Sequence, residues 1–194
     1  MSGAPVEAIV EEPKIALRAA GVKAGHGARA VDLGCGSGFQ SLALRQLGYE
    51  VLAIDICEKL LGRLADRAGN GGVATRLADI RRLDEFVDAG TLDVAVCMGD
   101  TLPHLPQRED VPRLFASVAR ALKPGGHVAS VNYTTSERNE FFSIPVAIVR
   151  ERAGLPAPAA GQPGPFSLGA EGAIETAYES AGFTAVVARR VTAP

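Results

Sequence analysis

The sequence predicts an α/β fold: a doubly wound, mostly parallel sheet between two helical layers. Three observations carry that prediction. From Ala28 to Asn132, short apolar runs alternate with segments of helical spacing. Glycine and proline clusters stand where one pattern gives way to the next, as in Gly69-Asn70-Gly71-Gly72 and Lys123-Pro124-Gly125-Gly126. The composition, 47% hydrophobic and 22% charged over 194 residues, is that of a globular chain with room for about one domain.

Each element follows from its residues. Ala28-Arg29-Ala30-Val31-Asp32-Leu33 is a short buried strand running into Gly34, Gly36 and Gly38. Phe39 to Leu47 carries apolar residues at helical spacing, and Gly48 stands where a helix C-cap belongs. Glu50 to Asp55 is a second strand, followed by a helix through Leu60, Leu61 and Leu64. Val73 to Asp79 forms a third strand and Leu92 to Cys97 a fourth. Asp110 caps a helix that has Pro112 in its first turn and runs to about Leu122. The stop at Lys123–Gly126 precedes a fifth strand, His127 to Asn132. Beyond it the pattern changes. Asn139 to Arg152 is helical and apolar, and Gly154 to Gly169, with Pro156, Pro158, Pro163 and Pro165, is an irregular connection or lid base. Ala170 to Ala181 is a helix ended by Gly182, and Phe183 to Val191 is a last strand.

Several classes of function are excluded by composition. No run approaches the roughly 20 apolar residues of a membrane helix. The segment Met1–Lys14 has neither the basic start nor the apolar core of a secretory signal. A net charge of −2 gives no general electrostatic reason to bind nucleic acid. Three cysteines without metal-type pairing argue against a disulfide framework or a metal site and suit a reducing cytosol. The expectation is a cytoplasmic protein with no nucleic-acid or membrane partner and no metal.

The strongest chemical signal is Val31-Asp32-Leu33-Gly34-Cys35-Gly36-Ser37-Gly38-Phe39. A strand running through a glycine-rich turn into a helix builds a nucleotide-cofactor crevice, because glycine lets a ligand approach the backbone. A dinucleotide fingerprint spaces its glycines G-x-G-x-x-G and holds a pyrophosphate at the helix N-terminus. Here the spacing is G-x-G-x-G, Phe39 takes the place of the third dinucleotide glycine, and Asp32 precedes the loop. An acid there is unwelcome to a pyrophosphate and useful to a ligand with an ammonium group. Asp55, about 20 residues on, ends the second strand, where a carboxylate can accept hydrogen bonds from both ribose hydroxyls.

These residues, with Leu77-Ala78-Asp79-Ile80, Leu92-Asp93-Val94-Ala95-Val96-Cys97 and Leu122-Lys123-Pro124-Gly125-Gly126, resemble the class I S-adenosylmethionine-dependent methyltransferase family over about residues 28–132. The resemblance implies a Rossmann-like, three-layer α/β/α fold and an enzyme that takes S-adenosylmethionine and releases S-adenosylhomocysteine. It implies that Gly34, Cys35, Gly36 and Gly38 wrap the methionine part of the cofactor and that Asp32 orders the methionine end. Asp55, with Ile56 beside it, would hold the ribose. Asp79 would meet the adenine amino group with the Ile80 backbone nearby, and Met98, Gly99 and Asp100 would line the methionine and sulfonium end. Residues 1–132 would form the cofactor-binding core, 133–168 an inserted acceptor-binding or lid region, and 169–194 the final helix and strand of the core.

The acceptor is read from the residues that leave the fourth strand. Cys97-Met98-Gly99-Asp100-Thr101-Leu102-Pro103-His104-Leu105-Pro106 resembles the corresponding loop of glycine-methylating N-methyltransferases and lacks the Pro-Pro-aromatic loop of enzymes that methylate DNA or protein amines. His104, the only histidine in the predicted crevice, is a candidate general base or acceptor contact; its alternative is a loop-ordering residue. Tyr133, Phe141, Phe142 and Phe166 suggest an aromatic acceptor pocket, the alternative being a seal between helix and sheet or a partner interface. Pro165-Phe166-Ser167-Leu168-Gly169 and Ala181-Gly182-Phe183 resemble the ubiquinone/menaquinone-biosynthesis type. The expected activity is methyl transfer to a small-molecule nitrogen, oxygen or carbon. The alternatives are a cofactor-binding or scaffold protein without catalysis and, disfavoured by Asp32 and Phe39, a nicotinamide-nucleotide enzyme. Cys35, Cys57 and Cys97 are placed near one sheet edge, where they act as thiols or, more simply, as small apolar residues. The resemblance implies a sheet of seven strands, the last antiparallel, and the elements account for six; the seventh is either missing or supplied by the 133–168 region. The expectation is an exposed sheet edge at the C-terminal end, left open or covered by a second subunit of a homo-oligomer.

Overall fold

The computed structural model describes residues 6–69, 71–156 and 162–191; Met1–Pro5, Asn70 and Pro158 lie outside them. Five parallel strands form one sheet in the order β3-β2-β1-β4-β5. They are β1 Arg29–Leu33, β2 Glu50–Asp55, β3 Val73–Leu77, β4 Leu92–Met98 and β5 Leu122–Val131. The helices are α1 Val6–Ala19, α2 Phe39–Gln46, α3 Glu58–Ala68, α4 Asp110–Ala121, α5 Glu140–Arg152 and α6 Ala173–Ser180. Short 3₁₀ turns cover Ile80–Glu85, Leu102–His104 and Ser136–Arg138.

The chain divides into two compact units. The first holds the described residues up to Met98 together with Ser117–Val131, and so contains the whole sheet. The second holds Gly99–Ala116 and the described residues from Asn132 onward.

Within the first unit the sheet is buried because its strands are apolar on both sides. Val31, Leu33, Ile54, Ala95, Val96 and Cys97 are all nearly inaccessible, as a parallel sheet covered on both faces requires. Ala30, Val51, Ala53, Val94 and Val96 join Val10 and Leu17 of α1, Leu42 and Leu44 of α2 and Leu61 and Leu64 of α3 in one core cluster. In α3 the buried residues Leu61, Leu64 and Ala68 recur every third or fourth position, a single stripe. Strand order reverses between β1 and β4, and in such sheets ligands collect at the carboxyl ends beside that reversal. The register sets Asp32 level with Ala53 and Val96, and Asp55 level with Leu77 at the end of β2.

Three elements differ from the sequence expectation. Helix α1 forms within the arm before residue 28, where no helix was expected, because Pro13 interrupts its pattern; Val10 and Leu17 nevertheless share a face and are fully buried. Strand β5 starts at Leu122, not His127, and absorbs Lys123–Gly126 as an irregularity: Leu92 pairs with Leu122, but Val94 pairs with His127. The expected last strand, Phe183 to Val191, does not form. Ala185 adopts a left-handed φ of 55°, which breaks an extended run, and Val187 and Val191 are left exposed.

The second unit has its own small core. Phe115 stacks on Tyr178 with ring centroids 4.0 Å apart, and Phe183 meets Tyr178 edge-on at 5.5 Å. The loop after β4 is tied to the connection before α6, since the Pro103 carbonyl accepts from Gly164 N–H at 2.9 Å and Ser167 Oγ at 3.0 Å. Helix α5 buries no residue at all.

Candidate functional site

The glycine loop is held by β2. Gly34 and Cys35 both donate backbone N–H to the Ile54 carbonyl at 2.9 Å, Gly36 donates to Asp55 Oδ2 at 2.8 Å, and Gly38 donates to the Cys35 carbonyl at 2.9 Å. Gly36 and Gly38 have φ of 53° and 83°, the left-handed region that side chains disfavour. Their surroundings differ. A Cβ on Gly38 would lie 2.2 Å from Leu64 Cδ1, so this glycine lets α3 close on the loop. A Cβ on Gly36 would meet nothing within 4 Å, so this glycine borders open space.

Asp55 is fixed from both sides. Its Oδ2 takes the Gly36 N–H and its Oδ1 the Cys57 N–H, each at 2.8 Å. Each oxygen retains acceptor capacity, so the half-buried carboxylate can receive two hydroxyl donors. Ile56, next in the chain, is 76% exposed, an apolar surface beside that acceptor pair.

Asp32 faces the other way. It is 1% exposed, and its Oδ2 receives Ser41 Oγ at 2.6 Å. The Ser41 backbone N–H also bonds to it. Gly38, the N-cap of α2, has no side chain to cap with, and Asp32 supplies the missing acceptor from β1. Burial pushes its carboxyl from an ordinary 3.8 up to about 6, partly offset by the two Ser41 hydrogen bonds; the charge of Asp55 adds to the rise. Burial likewise pushes the Cys35 thiol up, with Asp32 and Asp55 contributing, so Cys35 packs as a neutral group. Cys97 is buried with its Sγ 3.2 Å from the Leu33 carbonyl, and half-buried Cys57 stands at the N-cap position of α3 without a side-chain capping bond.

Asp79 caps the turn Ile80–Glu85 through the Arg81 N–H at 2.9 Å. The Arg81 guanidinium beside it holds its carboxyl below the usual range. Ile80 is buried. Met98 closes β4 half-buried; Gly99, with φ 89°, and Asp100 follow it and are exposed. His104 Nδ1 lies 2.7 Å from the Asp100 carbonyl. A carbonyl only accepts, so Nδ1 is the donor in this contact. In the second unit Tyr133, Phe142 and Phe166 pack as a triangle with centroids 5.8–6.2 Å apart, and exposed Phe141 meets Tyr133 and Phe142 edge-on.

Sequence reasoning missed two residues here. Ser41 engages the carboxylate of Asp32, and Arg67 of α3 donates Nη1 to the Ser37 carbonyl at 3.2 Å while lying over the Phe39 ring at 5.3 Å. A helical serine or arginine carries no motif of its own.

The donor set discriminates between cofactors. The N–H groups of Gly34, Cys35, Gly36 and Gly38 already have protein acceptors, and a carboxylate sits at the α2 N-terminus where a dinucleotide would place its pyrophosphate. A fixed carboxylate at the end of β2 and an open glycine before it suit a nucleoside whose ribose donates two hydroxyls and whose tail carries no phosphate. These residues fit S-adenosylmethionine.

Comparison with known proteins agrees. The family model described as "Methyltransferase domain" matches residues 31–130, just over half of the chain. The chain is 36% identical over 104 residues to a ubiquinone biosynthesis O-methyltransferase of Methylococcus capsulatus, covering 53% of this chain and 42% of that one. It is 35% identical over 99 residues to the putative methyltransferase YqeM of Bacillus subtilis, covering 50% and 39%. It thus spans less than half the length of these two relatives. Among solved structures, an S-adenosylmethionine-dependent methyltransferase from Mesorhizobium loti matches with a TM-score of 0.54 and 33% identity, covering 66% of this chain and 55% of that one. Phosphoethanolamine N-methyltransferase 2 of Haemonchus contortus, at 21% identity, shares the fold with a TM-score of 0.64 over 90% of this chain and 37% of its own. The chain belongs to the methyltransferase-domain family, with the Rossmann-like fold and the S-adenosylmethionine donor of its class I members.

Proposed function

We propose that this chain transfers a methyl group from S-adenosylmethionine to a small molecule, and that, of the nitrogen, oxygen and carbon acceptors the sequence allows, the one used is an oxygen on an aromatic ring. The observation that carries the cofactor half is the Asp55 carboxylate, fixed by Gly36 and Cys57 beside the open face of Gly36. The aromatic acceptor is supported by the Tyr133, Phe142 and Phe166 cluster and by the name of the ubiquinone-pathway relatives.

The cofactor supplies a methyl group already activated on sulfonium, so the protein's task is alignment and exclusion of water. Asp55 would hold the ribose through its two oxygens, and Ile56 would offer an apolar surface to the base. Asp79, with the Ile80 backbone, would meet the adenine amino group. Gly34, Cys35, Gly36 and Gly38 would shape the methionine tail's path, and Met98, Gly99 and Asp100 its sulfonium end. Asp32 would act on the tail indirectly, through the N-terminal turn of α2 that it caps at Ser41. His104, ordered by the Asp100 carbonyl, would serve as a general base or contact toward the acceptor.

Calorimetric titration with S-adenosylhomocysteine tests the cofactor half. The wild type binds, and Asp55→Ala weakens binding about 10–100-fold, the loss of hydrogen bonds to a charged acceptor. Absence of binding in the wild type defeats the proposal. Release of S-adenosylhomocysteine in a screen of phenols, catechols and amines then tests the acceptor. Turnover of amines alone removes the oxygen reading, and binding without turnover of any acceptor leaves a cofactor-binding protein.

A further inference from the structure

We propose that Arg67 is a positioning residue for the glycine loop, setting cofactor affinity from α3 without touching the cofactor. This rests on the S-adenosylmethionine reading of the loop.

The loop has two supports of different kinds. From below, β2 takes the N–H groups of Gly34, Cys35 and Gly36. From the side, α3 presents Leu64 and Arg67, three positions apart and so on one face of the helix. Leu64 is fully buried and fills the space that a side chain on Gly38 would need. Arg67 reaches the two residues between which the loop becomes a helix. Its guanidinium donates to the Ser37 carbonyl and covers the ring of Phe39, the first residue of α2.

Each contact removes a freedom. Ser37 is the one residue between Gly36 and Gly38, and both neighbours are glycines in left-handed conformations with wide torsional latitude. A bond to the Ser37 carbonyl fixes the peptide plane between Ser37 and Gly38. Phe39 is partly exposed, and a cation over its face holds the ring against α3 instead of leaving it free to turn toward the open side of Gly36. Arg67 itself is exposed, so these contacts contribute little to folding. Their effect falls on the conformation of the free loop, and ordering a loop before binding lowers the entropy lost on binding.

The test is S-adenosylhomocysteine titration of the full chain, with thermal unfolding measured on the same samples. Arg67→Ala is expected to weaken binding about 3–10-fold and to leave the melting temperature within about 2 °C of wild type. Arg67→Lys, which keeps a cation and a donor, recovers at least part of the lost affinity. In the double variant Arg67→Ala/Phe39→Leu, affinity falls by less than the product of the two single effects, because the residues act through one contact. Wild-type affinity in Arg67→Ala overturns the proposal. So does a loss that is matched by an equal fall in stability and not relieved by lysine, since that describes a fold support. A wild type that does not bind S-adenosylhomocysteine defeats the cofactor reading itself, and this proposal falls with it.

Discussion

Helices α3 and α5 are of similar length, and the more apolar one is the less buried. Helix α3 spans Glu58–Ala68 and sinks Leu61, Leu64 and Ala68 into the core of the first unit. Helix α5 spans Glu140–Arg152, carries Phe141, Phe142, Ile144, Val146, Ile148 and Val149, and buries none of them. The difference lies in arrangement. At about 100° per residue, the buried positions of α3 fall together in one narrow stripe. The apolar residues of α5 surround the helix, so no single packing surface can cover them. Burial follows periodicity, and apolar content without periodicity leaves exposed surface.

The largest expected effect attacks the stripe. Leu64→Ala removes a fully buried side chain and is expected to cost about 2–5 kcal/mol, measured by urea unfolding. Because Leu64 also backs Gly38, S-adenosylhomocysteine affinity should fall in conditions where the variant is still folded. A cost below about 1 kcal/mol would mean that α3 does not depend on its stripe.

Next in size is Asp32, the buried charge that the same unit tolerates. Its carboxyl is raised from 3.8 to about 6, mainly by burial, so the folded chain holds the proton more tightly than the unfolded chain. The resulting stability is fully present below pH 3.8 and is lost as pH rises through about 6. Asp32→Asn keeps an oxygen for Ser41 and removes the charge. It is expected to raise stability above pH 7 by up to about 2–3 kcal/mol, at about 1.4 kcal/mol per pKa unit, and to flatten the stability profile between pH 4 and 6. Unfolding curves across pH 4–8 check this. If the variant is less stable than wild type at pH 8, the ionised carboxylate is worth more to the α2 N-terminus than its burial costs.

The same contrast explains what the sequence revealed. Strands β1, β2 and β4 were legible because each is a short apolar run bounded by turn residues, and the helices α2 to α4 because their apolar residues keep one period. The segment Phe183–Val191 offered a similar run, but a strand needs a partner as well as a pattern, and Ala185 turns left-handed within it. Helix α1 was hidden by Pro13, and among its described side chains Val10 and Leu17, seven positions apart, are the buried ones. In the candidate site, Gly34, Gly36, Gly38 and Asp55 were legible because adjacent strands put them at fixed spacing. Ser41 and Arg67 were not, since their partners lie 9 and 30 residues away in sequence and only the packing of α2 and α3 brings them together.

The smallest expected effect belongs to α5 and returns to its exposed surface. Val149 is 63% exposed, so Val149→Ser removes two methyl groups that are mostly in water already. Stability should change by less than about 0.5 kcal/mol, the range of ordinary surface substitutions, and the melting temperature should not depend on protein concentration. The comparison sharpens if it does. A loss that appears at high concentration and vanishes on dilution would mean that a second copy covers α5 in solution, because only a concentration-dependent contact stabilises by mass action. A loss of about 1 kcal/mol or more at every concentration would place α5 against this chain's own residues. The contrast with α3 would then be one of packing partner, and the apolar girdle of α5 would be a buried surface after all.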